Sequence, residues 1–147
     1  MIDLKEVLTE YAESRKYKLK ELDNGTFSID IAMKLQDGSF RYQFVWAWIV
    51  KGRAKGQKDC IYLNSRVGTY NPTVNLYGLM KESGSGVYSS VTIVNDKDKQ
   101  GNPCETIVVH ASPIQEMVSK EEFLYILWEV AERADILEEK FFGGDSN

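Results

Sequence analysis

Apolar residues recur along this chain in two rhythms, a helical one at both ends and a strand-like one between. Near the N-terminus Leu4, Val7, Leu8 and Tyr11 repeat at helical spacing. Asp3 and Glu6 form a possible capping box ahead of them. Arg15 and Lys16 suit the negative end of a helix dipole. These features predict a helix over Leu4 to Arg15. Asn24-Gly25 is a tight-turn signal. Phe27, Ile29, Ile31, Met33 and Leu35 then alternate with smaller or polar residues, as in a strand with one buried face. Asp37-Gly38 marks the next turn.

The segment from Phe40 to Val50 is the most apolar of the chain. Phe40, Tyr42, Phe44, Trp46 and Trp48 fall on one face of the predicted strand. The other face begins with Arg41 and Gln43 and becomes apolar at Val45, Ala47 and Ile49. A strand apolar on both faces is expected to be covered on both, at least over its second half. Lys51 to Lys58 reads as a polar turn and Cys60 to Val67 as a partner strand. Asn71-Pro72-Thr73 precedes a short helix over Val74 to Glu82, and Ser83-Gly84-Ser85-Gly86 is a link. Val87 to Val94 and Thr106 to Ala111 read as a final hairpin around the polar 95–103 loop.

The last helix has the clearest pattern. Ser119 and Glu122 make a capping box, and Val118 can staple onto Phe123. Phe123, Leu127, Val130, Ala134, Leu137 and Phe141 then form a core-facing stripe. Gly143-Gly144 ends it. The expected order is α-β-β-β-α-β-β-α. This is an α+β class, an antiparallel sheet carrying helices, in a single domain over residues 1–147.

Composition narrows the chemistry. The chain has 147 residues, with 18 Lys+Arg against 22 Asp+Glu, one His and two Cys. One imidazole and two thiols cannot build a His-rich, four-cysteine or disulfide-framework site. The mild acidity argues against a dedicated nucleic-acid binder. The N-terminal residues do not read as a secretory signal, and no apolar run is long enough to span a bilayer. The expected setting is the cytoplasm, with Cys60 and Cys104 as free thiols, the alternative being one disulfide between them.

Four constellations offer candidate chemistry. Asp96, Asp98, Gln100 and Gly101 imitate the opening of a calcium loop, but position 12 is Ile107 and not a bidentate carboxylate. Lys51, Arg53, Lys55 and Lys58 cluster in one turn without phosphate-loop spacing. They read as a solvated hairpin tip, or else as a nucleic-acid contact. His110 stands near a strand end with Ser112 two residues on, and no nucleophile arrangement is evident. Glu121, Glu122, Glu129, Glu132, Asp135, Glu138 and Glu139 fall mainly off the apolar stripe of the last helix, as a solvated face or an acidic docking surface would. No catalytic, cofactor or metal residue is assigned.

The aromatic surplus is the remaining feature. Five rings on one strand face either form core beneath a helix or partly receive a partner. Tyr125 and Trp128 lie off the main stripe of the last helix, and Leu124 and Ile126 widen its apolar surface. Trp46, Trp48, Tyr125 and Trp128 are therefore the candidate protein-interaction residues.

The element order, together with Glu105-Thr106-Ile107-Val108-Val109 and Val118-Ser119-Lys120-Glu121-Glu122-Phe123, resembles the YbjN-like family of the type III secretion chaperone-like fold. The run from Ala134-Asp135 through Leu137-Glu138 and Phe142-Gly143 to Asp145 resembles the helix-ending pattern of that family. The resemblance implies a non-enzymatic, acidic, cytoplasmic homodimer that holds a client or regulatory protein, with no cofactor. The alternative function class is an enzyme or small-ligand binder with a pocket between the aromatic strand and a helix.

Overall fold

The computed structural model describes residues 1–143. Gly144 and Asp145, which enter the helix-stop and family patterns above, lie outside the described residues. In chain order the elements are α1 (Leu4–Arg15), β1 (Leu19–Glu21), β2 (Phe27–Lys34), β3 (Phe40–Ala54), β4 (Lys58–Thr69), α2 (Leu76–Ser83), β5 (Ser90–Lys97), β6 (Pro103–Ala111) and α3 (Lys120–Phe142). The strands make one six-stranded sheet in the order β1-β2-β3-β4-β6-β5, and every neighbouring pair is antiparallel. The fold is α+β, as the hydrophobic pattern predicts, with one strand more.

That extra strand is β1. It pairs Leu19, Lys20 and Glu21 with Ile29, Ser28 and Phe27. Three residues with one partly buried side chain carry too short an alternation to be read from sequence. The turn that joins it to β2 is the one Asn-Gly specifies. The Leu22 N–H donates to the Thr26 carbonyl, and Gly25 sits at φ +79°.

Capping residues set the helix starts. Asp3 accepts from the Glu6 N–H, Asn75 from that of Gly78, and Ser119 from that of Glu122. The Glu122 carboxylate accepts a hydrogen bond from the Tyr88 hydroxyl at 2.5 Å, so the box predicted at Ser119 is satisfied from one side. The Gly143 N–H, with φ +73°, closes α3 on the carbonyls of Glu138 and Glu139.

The helices and one sheet face enclose a single core. Phe123, Ile126, Leu127, Val130, Ala134 and Leu137 of α3 are buried. They share that core with Ile29, Ile31, Val45, Ala47, Ile61, Leu63, Ile107 and Val109 of the sheet. Leu4, Val7 and Leu8 of α1 and Leu79 of α2 complete it. Gly68 permits a close approach of α3, since a Cβ there would lie 2.5 Å from the Phe142 ring. No helix among the described residues is long and apolar enough to cross a membrane.

The acids of α3 do not form a uniformly solvated face. Glu129, Asp135 and Glu138 are buried. Glu129 accepts the backbone N–H groups of Val87 (3.2 Å), Tyr88 (3.0 Å) and Ser89 (2.7 Å), tying the segment that leads into β5 to the helix. Burial pushes its carboxyl up, but the bonds from Ser89, Tyr88 and Val87 outweigh it and hold the group below its ordinary value. A depressed folded value gives stability above the unfolded range, near pH 4.3, that is lost as pH falls through the folded value. Glu129→Gln is expected to cost about 1–3 kcal/mol at pH 7. Its difference from wild type should narrow in urea titrations repeated at pH 3.

Candidate functional site

The parity of β3 decides what this protein displays. Hydrophobicity alone would turn Phe40, Tyr42 and Phe44 inward and Arg41 and Gln43 to water. The structure does the reverse. Phe40, Tyr42, Phe44 and Trp46 are 57, 57, 52 and 38 % exposed on the face opposite the helices, while Gln43, Val45 and Ala47 are buried. The expectation of cover on both faces is thereby corrected: no element of this chain among the described residues lies over the aromatic row.

Two polar locks explain the inversion. Arg41 reaches under α3 and grips Asp135 with two parallel bonds, Nε–Oδ1 at 2.7 Å and Nη2–Oδ2 at 2.8 Å. A third bond runs from Nη2 to Glu139 at 2.8 Å. These bonds raise the guanidinium above its ordinary value and fix its charge. Gln43 Nε2 donates to Ser65 Oγ and to the Arg66 carbonyl, both at 2.9 Å, and Ser65 Oγ donates to the Phe44 carbonyl at 2.7 Å. A one-residue slip would swap every β3 side chain to the other face and strand these groups. Val45 and Ala47 share the helix-side parity and are small enough to lie against the buried stripe of α3. A buried polar set backed by an exposed aromatic row is the informative deviation, because isolated exposed rings are ordinary.

Further along, the uncovered face becomes concave. A groove of about 710 Å³ is lined by Trp46, Trp48, Tyr62, Arg53, Asn64, Val94, Val108 and His110 among others. Every lining residue belongs to a strand, so the aromatic strand meets its neighbouring strands there and not a helix. Trp48 stands opposite Tyr62 in the register and His110 opposite Asn64. The Tyr62 ring is boxed by Trp48, with centroids 4.8 Å apart, by His110 at 5.6 Å, and by the Arg53 guanidinium at 5.5 Å.

His110 therefore has a partner that the sequence did not reveal. Its Nδ1 and the Tyr62 hydroxyl are 3.1 Å apart. Burial, with the Arg53 charge second, lowers the imidazole below its ordinary value, so it is neutral at pH 7. Burial likewise raises Tyr62, against the opposing pull of Asn64 and Arg53. Ser112 Oγ is buried without a hydrogen-bond partner, so no Ser-His-acid relay is assembled.

Sequence reasoning puts Arg53 in a basic hairpin tip and misses its place in the groove. The predicted turn at Lys51 to Lys58 is mostly strand, with β3 running to Ala54 and β4 starting at Lys58. A bulge between Val50 and Ala54, with Gly52 at φ +63°, shifts the alternation so that odd-numbered Arg53 joins the groove of even-numbered Trp48 and Val50. Asp59 holds the bulge by accepting from the Gly52 N–H at 2.9 Å and from Lys51 Nζ at 3.1 Å. Those two bonds, led by the one from Gly52, keep its carboxyl below the ordinary range. Lys58 pairs with Glu116. The glycine between two cations was the available signal.

The other candidates lie elsewhere. Tyr125 and Trp128 are exposed on the outer side of α3, with rings 6.0 Å apart and Tyr88 5.8 Å from Tyr125. The fold thus places Trp46 and Trp48 on one side and Tyr125 and Trp128 on the other. The predicted 95–103 loop is shorter, since β5 runs to Lys97 and β6 starts at Pro103; in the remaining turn Asp98 accepts from the Gln100 and Asn102 N–H groups, and in β5 Asp96 accepts from Lys97 N–H and Thr106 Oγ1. Cys60 and Cys104 are both free thiols. Comparisons with protein-family models, curated proteins and solved structures gave no match.

Proposed function

We propose that this protein is a non-enzymatic protein-binding module that works as a homodimer, two copies meeting through the aromatic end of their uncovered sheet faces. The carrying observation is the inverted parity of β3, which exposes Phe40, Tyr42, Phe44 and Trp46 while turning Arg41 and Gln43 to the helix side. The exposed parts of these four rings amount to roughly 400 Å², about half of what each partner contributes to a standard interface.

Charge supports a second copy as the occupant. Ala32 stands opposite Tyr42, Asp30 opposite Phe44 and Lys34 opposite Phe40 in the register. A two-fold axis through the Ala32–Tyr42 pair exchanges the ends of this patch and sets Asp30 of each copy against Lys34 of the other. Burial already raises the Asp30 carboxyl, against the lowering influence of Lys18, so a facing ammonium would be favourable. The small side chain of Ala32 leaves room for Tyr42 at the centre. The resemblance to YbjN-like proteins and secretion chaperones is in keeping with a dimeric, regulatory or client-holding role. Cytoplasmic action, with both thiols reduced, belongs to the same proposal.

Sedimentation equilibrium of charge variants tests the arrangement. Asp30→Lys and Lys34→Asp are each expected to weaken dimerisation about tenfold, in line with like-charge juxtaposition at an interface. The double exchange should restore it. Three variants that dimerise equally well, or a double exchange no better than either single, would rule this arrangement out.

A further inference from the structure

The concave part of the uncovered face has properties that dimerisation does not use. It lies toward β4, β6 and β5, beyond the Phe40–Phe44 patch, and Trp46 forms the border between the two. Its volume, about 710 Å³, is in the range of small-molecule sites. Its floor is aromatic and aliphatic, from Trp48, Val94 and Val108, with a few polar groups converging on it.

The charge balance of the groove is specific. Arg66 is matched by Asp96 at 3.6 Å, and Asp96 also accepts from Thr106 Oγ1 at 2.9 Å. His110 is uncharged at pH 7. Arg53 remains, a cation resting on the Tyr62 ring with no carboxylate within salt-bridge distance among the described residues. The bulge places it there, and Gly52 and Asp59 hold the bulge. One planar guanidinium with free N–H edges matches one carboxylate in a forked geometry. A dianion would meet only that single positive charge and would face Asp96. The half-buried Trp48 ring in the same groove offers a stacking surface.

We infer that this groove binds a small planar aromatic group carrying a single carboxylate, the ring lying against Trp48 and the carboxylate on the Arg53 guanidinium. The same chemistry could come from a free aromatic acid or from a C-terminal aromatic residue of a partner protein. The site stands whether or not two copies meet at Tyr42.

Titration of the isotope-labelled protein, followed by NMR, tests this with defined probes. Indole-3-acetate is expected to give saturable shifts at the Trp48 indole N–H, the Arg53 side chain and His110. Indole-3-acetamide should bind about tenfold more weakly, the loss of one charge-assisted hydrogen bond. Acetate and inorganic phosphate should give no saturable shift at Trp48. Arg53→Gln, an exposed position whose change leaves the core untouched, should make acid and amide bind alike. The tripeptide Gly-Gly-Trp with a free C-terminus forms the second arm. Tighter binding of the peptide assigns the carboxylate to a protein partner, and tighter binding of indole-3-acetate to a free acid; either supports the site. Equal binding of acid and amide to the wild type, shifts confined to other surfaces, or no saturation with either acid would overturn it.

Discussion

Arg41→Ala is expected to destabilise the fold by about 3–5 kcal/mol, the cost of leaving a buried carboxylate without its partner. Asp135 is buried on α3, and Arg41 supplies two of its bonds through one fork. The bond to exposed Glu139 adds little, because water replaces it readily. The loss is therefore carried by Asp135 and should appear in urea unfolding at pH 7. Arg41→Met combined with Asp135→Leu should recover most of it, since no buried charge is then left unpaired. If the single variant lost less than about 1 kcal/mol, Arg41 would not be what fixes the parity of β3.

Phe123→Ala is the second large effect, at about 3–5 kcal/mol. Phe123 is fully buried where the first turn of α3 meets the sheet, and Val118, which precedes the Ser119 cap, packs into the same core. Truncation removes the ring and leaves a void that the two-layer core cannot close, because the stripe behind it is already filled by Leu127 and Val130. A domain of this size typically has 5–15 kcal/mol in total. The melting temperature should fall on the order of 10 °C by calorimetry. A change of only a degree or two would mean that α3 is anchored further along its length.

The two variants share a physical theme, which also explains how much was legible beforehand. Where one rule decides, the sequence reads directly. The Leu4–Arg15 helix, the Asn24-Gly25 turn and the Ser119 start of α3 follow from local spacing and capping. The class and the order of the longer elements follow from those. Parity in β3 does not, because it is set by partners distant in sequence. Asp135 lies 94 positions from Arg41, and Ser65 lies 22 from Gln43. Local hydrophobicity ranks the rings as core and Arg41 and Gln43 as surface, and non-local hydrogen bonds reverse that ranking. The buried acids of α3 escape the local pattern for the same reason, since the acceptor role of Glu129 depends on backbone N–H groups about 40 positions away. The groove depended on a bulge at Gly52, which moves Arg53 across the sheet by one step of alternation. Trp46 and Trp48 were identified as interaction candidates from their excess, and the structure places both along the uncovered face, with Tyr125 and Trp128 behind it.

The central claim is that the uncovered aromatic row is an interface between two copies. The most direct test is the mass in solution by light scattering, for the wild type and for Phe44→Asp. Phe44 is half exposed, so the charge leaves the core intact, and circular dichroism of the variant should match the wild type. The predicted result is twice the 16.8 kDa chain mass for the wild type and a single chain for the variant. A wild type that stays at one chain mass up to its solubility limit, or a dimer that Phe44→Asp leaves intact, would contradict the account.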